Sequence, residues 1–444
     1  MTSSGLYRGI ACRNRVKSGE SVTEAGTSGS STRGLAGWAV GYSSSLLADQ
    51  VFFLALTFAA LQVGTPGQLG LVLAAGSIPR LLILMIGGAL ADRRSPKRIT
   101  VATDAARAAV LAAAAVVLML GSMTTWQLVS VALVIGALDG FFLPAVGALP
   151  ARIAPVHEMG RVAALRTVAQ RVALLAAGPL AGWLVHMYGP SAAFWASAAL
   201  FLVSVSSLAT LTLHPSPPPP PGHSDPERES SQQEYGYLRQ AGTALRLVRR
   251  HPVLPWLLLL IAGLNFGFAG PVTAGIPLLA TGSQWGASGA GLLLGAFGLG
   301  AAATGVGLIF TRWIPHAGML AIGCVVTMGA ALAALGYVTT FPAALSAAVV
   351  LGLGSGVCGT VIHAMVLTTT PKAELGRVMA LLSISIEGVV PLSYALTGLL
   401  ADFTGARATF VVGGVIILAT AALAVTRPAV RSFELVRPAA SQDA

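Results

Sequence analysis

The stretch PVHEMGRVAAL, Pro155–Leu165, is repeated almost letter for letter as PKAELGRVMAL, Pro371–Leu381. The two starts are 371 − 155 = 216 residues apart, close to half of the 444-residue chain. At the same offset GALDG, Gly136–Gly140, lies over GLGSG, Gly352–Gly356, and the similarity continues downstream of both stretches without a gap. The sequence therefore predicts two related halves.

The composition predicts that both halves lie in a membrane. The chain is 55% hydrophobic and only 10% charged, whereas an average soluble domain has about 25% charged residues. Apolar runs of about 20 residues are candidate transmembrane helices, and in lipid such runs have to be helical because the backbone must satisfy its own hydrogen bonds. We predict an all-α polytopic membrane protein with twelve spans, at about 34–62, 67–91, 98–121, 125–150, 160–187, 190–213, 252–280, 286–311, 315–338, 341–370, 376–402 and 405–427.

The predicted domain organisation follows from the polar segments between these runs. Two six-helix bundles, 34–213 and 252–427, are separated by a Pro-rich linker, 214–251. Such a composition is typical of an extended or disordered segment. Residues 1–33 and 428–444 are predicted to be tails, the first of them disordered. Six helices lie between equivalent positions, so the halves share one orientation and are related by an axis along the membrane normal.

The net charge of +11 indicates orientation rather than a nucleic-acid partner. Basic residues cluster in alternate loops, in the linker and at both ends of the chain, whereas Arg407 is an exception on the other side. By the positive-inside rule both termini and the linker are cytoplasmic. We therefore expect a multi-pass protein of the cell (inner) membrane, with the lipid bilayer and no nucleic acid among its partners.

Chemistry that would indicate an enzyme is not apparent in the sequence. Cys12, Cys324 and Cys358 have no metal-ligand or redox spacing, and we find no nucleophile–base arrangement and no P-loop. We expect no cofactor, no metal and no enzymatic activity. Two similar bundles that rock about a central site are typical of a transporter, and since no nucleotide motif is present an ion gradient is the expected energy source.

The loop between spans 2 and 3 carries a resemblance to the major facilitator superfamily. It reads GALADRRSPKR, Gly88–Arg98, and is similar to that family's pattern G-x-L-A-D-R-x-G-R-K, with Ser95 in place of the second glycine. The second half has a weaker copy, GLIFTRWIP, 307–315. The resemblance implies the twelve-helix fold of that family, a monomer, and a conformational role for this loop, whose matching residues include Gly88, Asp92, Arg93, Lys97 and Arg98.

The role of Asp92 can be argued physically. A carboxylate is stabilised at the N-terminus of a helix by the exposed amides and the helix dipole. In the resembled family the neighbouring helix is span 11, whose start here lies near Gly376. Alternatively, the charges of this loop are simply solvated and only set the orientation of the chain in the membrane.

Further details resemble the drug- and siderophore-efflux branch that includes macrolide exporters. They are LADQVFFLAL in span 1, GFFLPAVGALPARIAP closing span 4 and LRLVRRHPVLPWLLLL entering span 7. Span 5 has GPLAG, with Gly178, Pro179 and Gly182, like the centre of the family's antiporter motif, although Leu174 replaces its earlier glycine. The resemblance implies export of an amphipathic small molecule (a drug, siderophore or secondary metabolite) by proton antiport. An importer or facilitator on the same fold and, from another class, a membrane enzyme or receptor are the alternatives.

Ionisable residues within the spans are the candidates for the mechanism, because an unpaired charge in the bilayer costs several kcal/mol. Asp49 and Asp139 are the candidate proton carriers, since spans 1 and 4 line the cavity of the resembled family. Asp139 could instead be paired permanently with Arg171 of span 5. Asp104 and Arg107 are placed near the cytoplasmic end of span 3, where a simple pair on one helix face is expected.

Arg80 and Glu387 are predicted to meet across the two halves. At the offset of 216, Arg171 lies over Glu387, but spans 5 and 11 stand on opposite sides of the cavity in the resembled fold. Span 11 packs instead against span 2, where Arg80 lies at similar depth. A pair between Arg80 and Glu387 would act as a structural latch. The alternative pairs Arg80 with Asp49 and leaves Glu387 to bind a cationic substrate.

Overall fold

The computed structural model describes residues 27–93, 95–154, 158–211, 248, 251–309, 316–371 and 374–434. These residues contain twelve helices that are long and apolar enough to cross a membrane. We number them α1 to α12: Thr27–Val63, Pro66–Arg93, Pro96–Leu120, Thr125–Ala148, Met159–Tyr188, Pro190–Ala209, Leu254–Gly282, Gly286–Ile309, Ala317–Leu335, Phe341–Thr369, Leu375–Thr404 and Ala406–Val425.

The predicted all-α fold with twelve spans is confirmed. The first helix begins at Thr27, inside the segment predicted to be a tail, although the part of it that qualifies as a span starts at Gly34. The rest of that tail, nearly all of the predicted linker and the last ten residues lie outside the described residues.

Helix ends follow local sequence signals. The Thr65 and Thr124 side chains each precede a helix, and each accepts from the backbone amide of a glutamine three residues later, Gln68 and Gln127 respectively. Each glutamine side chain in turn accepts from the backbone amide of its threonine, at 3.2 and 2.8 Å. These reciprocal bonds are capping boxes, which satisfy amides that a helix start leaves without a partner. They fix the starts of α2 and α4.

The α11 helix is interrupted between Glu387 and Val390. Pro391 lacks the amide hydrogen that would bond to the carbonyl of Glu387 four residues earlier, and its ring clashes with that carbonyl. The interruption leaves Glu387 as the last residue of the first segment of α11.

A serine side chain from α11 is inserted into the backbone ladder of α7. The Ser393 hydroxyl donates to the carbonyl of Phe266 at 2.7 Å and accepts from the amide of Gly270 at 2.8 Å. These two backbone groups would bond to each other in an uninterrupted α-helix, and the π-helical turn Pro271–Gly275 follows directly. An inserted side chain of this kind is a recognised cause of helix distortion, and here it fastens α7 to α11.

Two helix pairs carry most of the packing between the halves. We call α2 with α11 the 2/11 seam and α5 with α8 the 5/8 seam. We call the face at which α1 begins and α12 ends the terminal face. Both seams are tightest toward the opposite face, where α2 and α8 begin and α5 and α11 end.

Candidate functional site

Arg107 of α3 lies at the centre of a group of carboxylates from three helices. Its guanidinium is fully buried, and its nitrogen atoms lie 3.0 Å from Asp104 Oδ1, 2.5 Å from Asp139 Oδ1 and 3.9 Å from Asp49 Oδ1. The side chain is also held between rings, with Cζ 4.4 Å from the centroid of Phe142 and 5.3 Å from that of Phe201. Aromatic faces attract a guanidinium by cation–π interaction, so both charge and packing fix Arg107. We call Arg107 with Asp49, Asp104 and Asp139 the arginine cluster.

Asp104 is fully satisfied. Besides its bond from Arg107, it accepts hydrogen bonds from the hydroxyl of Ser45 at 3.3 Å and from that of Ser204 at 2.6 Å. Three donors, one of them charged, thus occupy both oxygens of this buried carboxylate. Asp104 therefore holds Arg107 in place.

Asp49 is the least compensated member of the arginine cluster. Within the described part of the chain its buried Oδ1 makes no hydrogen bond, and the same is true of Asp139 Oδ1. The two differ in distance from the Arg107 guanidinium, which is 3.9 Å from Asp49 but 2.5 Å from Asp139. The side chain of Asp49 is nevertheless 17% exposed, against 5% for Asp139 and 0% for Asp104. Three carboxylates face one guanidinium, so the arginine cluster carries two excess negative charges if all three are ionised.

The arginine cluster corrects two expectations from the sequence. Arg107 does not lie near the end of its helix: it stands 107 − 96 = 11 residues into the 25-residue α3. Its predicted pair with Asp104 is confirmed, but the pair is part of a larger buried group. The alternative pairing of Asp139 with Arg171 is wrong, because the partner of Asp139 is Arg107 and Arg171 is half-buried elsewhere.

Arg80 and Glu387 meet across the 2/11 seam, as predicted. Arg80 Nη2 donates to Glu387 Oε1 at 3.3 Å, and each side chain is about a quarter exposed, at 27% and 26%. Both residues adjoin a point where proline disturbs a helix: Arg80 follows Pro79, and Glu387 ends the first segment of α11. The predicted contact is confirmed, and the alternative pairing of Arg80 with Asp49 is not the one observed.

A narrow cavity connects this pair with the arginine cluster. Its volume of about 30 Å³ is enough for about two water molecules. Arg80 and Glu387 line it on one side and Asp139 on another, while the remaining wall is mainly apolar and includes Phe52, Phe53, Leu56, Val72, Leu73, Ile135, Val390 and Tyr394. The cavity therefore brings Arg80 and Asp139 of the first half and Glu387 of the second half to one small, mainly apolar space.

The GPLAG stretch of α5 forms the centre of the 5/8 seam. A Cβ atom added to Gly178 would lie 2.6 Å from the carbonyl oxygen of Gly291, and one added to Gly182 would lie 2.8 Å from the Gly291 Cα. Pro179 lies against Gly295 in the same way. Small residues let membrane helices approach this closely. The stretch is thus a packing surface between the halves.

The loop between α2 and α3 is described only in part. The side chains of Gly88, Asp92 and Arg93 lie outside the described residues, so the predicted contact of Asp92 with the start of α11 stays a prediction. Lys97 Nζ donates to the carbonyl of Leu211 at 2.6 Å, just beyond the end of α6, and Arg98 is exposed. A cation at a helix C-terminus compensates the helix dipole, so Lys97 ties the start of α3 to the end of α6.

Comparison with known proteins identifies the family to which this architecture belongs. The family model described as Major Facilitator Superfamily matches residues 38–331 and 316–442. The chain belongs to the Major Facilitator Superfamily. It is a multi-pass membrane protein of a family of transporters.

Relatives of this superfamily member include curated efflux proteins. The "Multidrug efflux pump Tap" of Mycolicibacterium fortuitum is 25% identical over 395 residues, which are 84% of this chain and 90% of that protein. The Tap protein of Mycobacterium tuberculosis is 24% identical over 397 residues, or 87% and 91% of the two chains.

Solved structures confirm the fold of this superfamily member. A POT family transporter aligns with a TM-score of 0.68 at 12% identity, covering 90% of this chain and 96% of that one. A D-xylose-proton symporter aligns with a TM-score of 0.65 at 16% identity, covering 92% and 99%. These similarities extend to architecture alone.

Proposed function

We propose that this protein is a proton-driven exporter of amphipathic small molecules, such as drugs, siderophores or secondary metabolites, in the bacterial cell membrane. Its likeness to the Tap pumps supports export, and the basic residues at the terminal face support a cytoplasmic location for both termini. It would act as a monomer, without cofactor, by alternating access of the two halves.

With this orientation the conformation is inward-facing. Both seams are closed toward the opposite face, which becomes the extracellular one. Two side-chain pairs between the halves, Arg80–Glu387 and Thr65–Asp402, lie at mid-depth and on that face respectively. The substrate would enter from the cytoplasmic side and leave when the 2/11 seam opens at the extracellular face.

The single observation that carries proton coupling is the charge imbalance of the arginine cluster. Two uncompensated charges in the middle of a membrane are costly, so the cluster binds a proton, or a cationic substrate, in some step of the cycle. Asp49 is the proposed proton carrier, because Asp104 is satisfied and Asp139 contacts Arg107 closely. When the proton leaves Asp49, the guanidinium of Arg107 would shift from Asp139 toward Asp49.

The Arg80–Glu387 pair has a different proposed role. The two groups neutralise each other, so Glu387 is not needed as a proton carrier in this state. The pair would hold the middle of the 2/11 seam closed and release it when the arginine cluster changes its charge through the shared cavity.

The test uses inside-out membrane vesicles with an acidic lumen. We expect gradient-dependent uptake of a subset of amphipathic drugs or siderophores. Asp49→Asn should abolish accumulation but keep downhill exchange, whereas Glu374→Gln, a control in the Glu374–Arg377 pair at the terminal face, should transport normally.

Two outcomes would overturn the proposal. If Asp49→Asn and Asp139→Asn both keep gradient-driven accumulation, neither carboxylate carries the coupled proton. If substrate accumulates only in right-side-out vesicles driven by an inward proton gradient, the protein is an importer.

A further inference from the structure

We call the end of the 2/11 seam at the face opposite the termini its outer end. It contains a contact that is separate from the cavity and from the arginine cluster. The hydroxyl of Thr65 donates to Asp402 Oδ2 at 3.1 Å, although the two residues are 337 positions apart and belong to different halves. Asp402 lies in the last turn of α11, and Thr65 directly precedes α2. Both side chains are exposed at the face opposite the termini.

The carboxylate of Asp402 is placed at the N-terminus of α2. A Cβ atom added to Gly67, in the first turn of α2, would collide with Asp402 Oδ2. Exposed amides and the helix dipole make this position favourable for an anion. Gly67 therefore leaves the space that the carboxylate of the other half fills.

The helix start that receives Asp402 is itself fixed. Thr65 and Gln68 form a capping box, and Gln68 Oε1 also accepts from the hydroxyl of Thr125 at the start of α4, at 3.3 Å. Movement of Asp402 away from α2 is thus movement of one half against the other. Below this contact Gly70 and Gly398 are in backbone contact, and the cavity begins a few residues deeper.

We propose that Asp402 is an outer latch. Its carboxylate docks on the first turn of α2 when the outer end of the 2/11 seam is closed, and it must leave that turn before the cavity can open to the outer face. The proposal rests on alternating access but not on the substrate or on proton coupling. It adds a gating residue at the end of α2 away from the loop that contains Asp92.

The test measures how fast the cavity is reached from the outer face. Ser77, which lines the cavity, is replaced by cysteine in the full-length protein whose three native cysteines have been changed to alanine. The rate of labelling by a membrane-impermeant maleimide is then measured in sealed membranes of both orientations. Native Cys12, kept in a separate variant, reports which side of the membrane carries the N-terminus.

We expect Asp402→Ala to raise the outer-face labelling rate of Ser77→Cys about two- to fivefold, the factor that corresponds to one charge–dipole contact at an exposed helix end. Asp402→Asn, which loses the charge but can still accept from Thr65, should give a smaller increase. Gly67→Val should give at least the full increase while Asp402 is still present, because the added side chain occupies the position of the carboxylate. Arg407→Gln, which removes another exposed charge of the same face, should leave the rate unchanged.

Equal outer-face labelling rates in Asp402→Ala, Gly67→Val and the parent protein would overturn the latch. So would an equal rise in Arg407→Gln, since that would assign the effect to general surface charge. Monodisperse elution in detergent and an unchanged labelling rate from the terminal face identify variants that are folded. Transport of a drug is not measured, so failure of the proposed export activity would leave this result interpretable.

Discussion

The 2/11 seam and the 5/8 seam both join the two halves and occupy equivalent positions under the offset of 216, but their contacts are chemically different. The 5/8 seam has Gly178, Gly182 and Gly291 in backbone contact. The 2/11 seam has the matching contact of Gly70 with Gly398, but it adds an ion pair at mid-depth and a capped helix start at its outer end. Packing contacts cannot be switched by charge, whereas polar contacts can. Toward the outer face, where these contacts lie, we infer that the 5/8 seam acts as the pivot and the 2/11 seam as the gate.

The largest effect is expected from breaking the ion pair of the gate on one side. Glu387→Gln leaves Arg80 without a charged partner, and an uncompensated charge of this kind costs about 3 kcal/mol. Arg80→Gln should cost a similar amount, and the double variant should recover much of the loss. The measurement is a double-mutant cycle on the free energy of unfolding in mixed micelles with increasing SDS. Coupling near zero between Arg80 and Glu387, together with strong coupling between Arg80 and Asp49, would remove the ion pair from the gate.

A somewhat smaller effect is expected from overfilling the pivot. Gly182→Val should destabilise the folded protein by about 2 kcal/mol, because its new side chain would meet the backbone of Ala287 and Gly291. The control is Gly323→Val on α9, where an added Cβ meets no atom within 4 Å. The thermal midpoint of the purified protein should fall for the first variant and not for the second. Equal midpoints would show that the 5/8 seam tolerates separation and is not a pivot.

The contact predicted at the inner end of the gate should contribute less energy than either of these. Asp92→Asn is expected to leave the protein folded and to slow transport severely, because a helix-end contact of about 1 kcal/mol would stabilise one of the two access states. Initial transport rates at matched expression measure this effect. Near-normal transport rates would show that the charges of the loop between α2 and α3 only set the orientation of the chain in the membrane.

The smallest effect is expected from introducing into the 5/8 seam a carboxylate like the one at the outer end of the 2/11 seam. At the offset of 216 the counterpart of Asp402 is 402 − 216 = 186, which is His186, in the last turn of α5. His186→Asp would place a carboxylate near the start of α8 and should stabilise outer closure by about 0.5 kcal/mol. A slower outer-face labelling of the Ser77→Cys reporter measures this change, with His186→Asn as the neutral control. If both variants behave alike, the start of α8 is not a counterpart of the start of α2.

The helices and the Arg80–Glu387 contact could be predicted from the sequence, and both are confirmed. Apolar runs and polar breaks define spans directly, and the offset of 216 relates them. The pair could be predicted because the resembled fold places span 2 beside span 11. The arginine cluster could not, because hydropathy does not indicate which face of a helix points at which neighbour. The signal that was available was the Asp104–Arg107 spacing in an otherwise apolar helix.

Asp402 was missed for a different physical reason. A carboxylate at the end of a span looks like an ordinary solvated residue, and its partner is a helix start whose amides belong to no particular side chain. The space that Gly67 leaves for this carboxylate can be recognised only once the positions of both halves are known. Contacts to the backbone of a distant helix therefore require the structure.

The placement of the charged groups also has a consequence for how the chain is inserted during synthesis. All four members of the arginine cluster belong to α1, α3 and α4, so the first half can assemble the cluster as soon as its own helices have entered the membrane. Arg80 differs, because Glu387 is made 307 residues later. At ordinary translation rates that interval lasts about 15 to 60 s. During this time the nascent first half carries Arg80 without its partner from the second half.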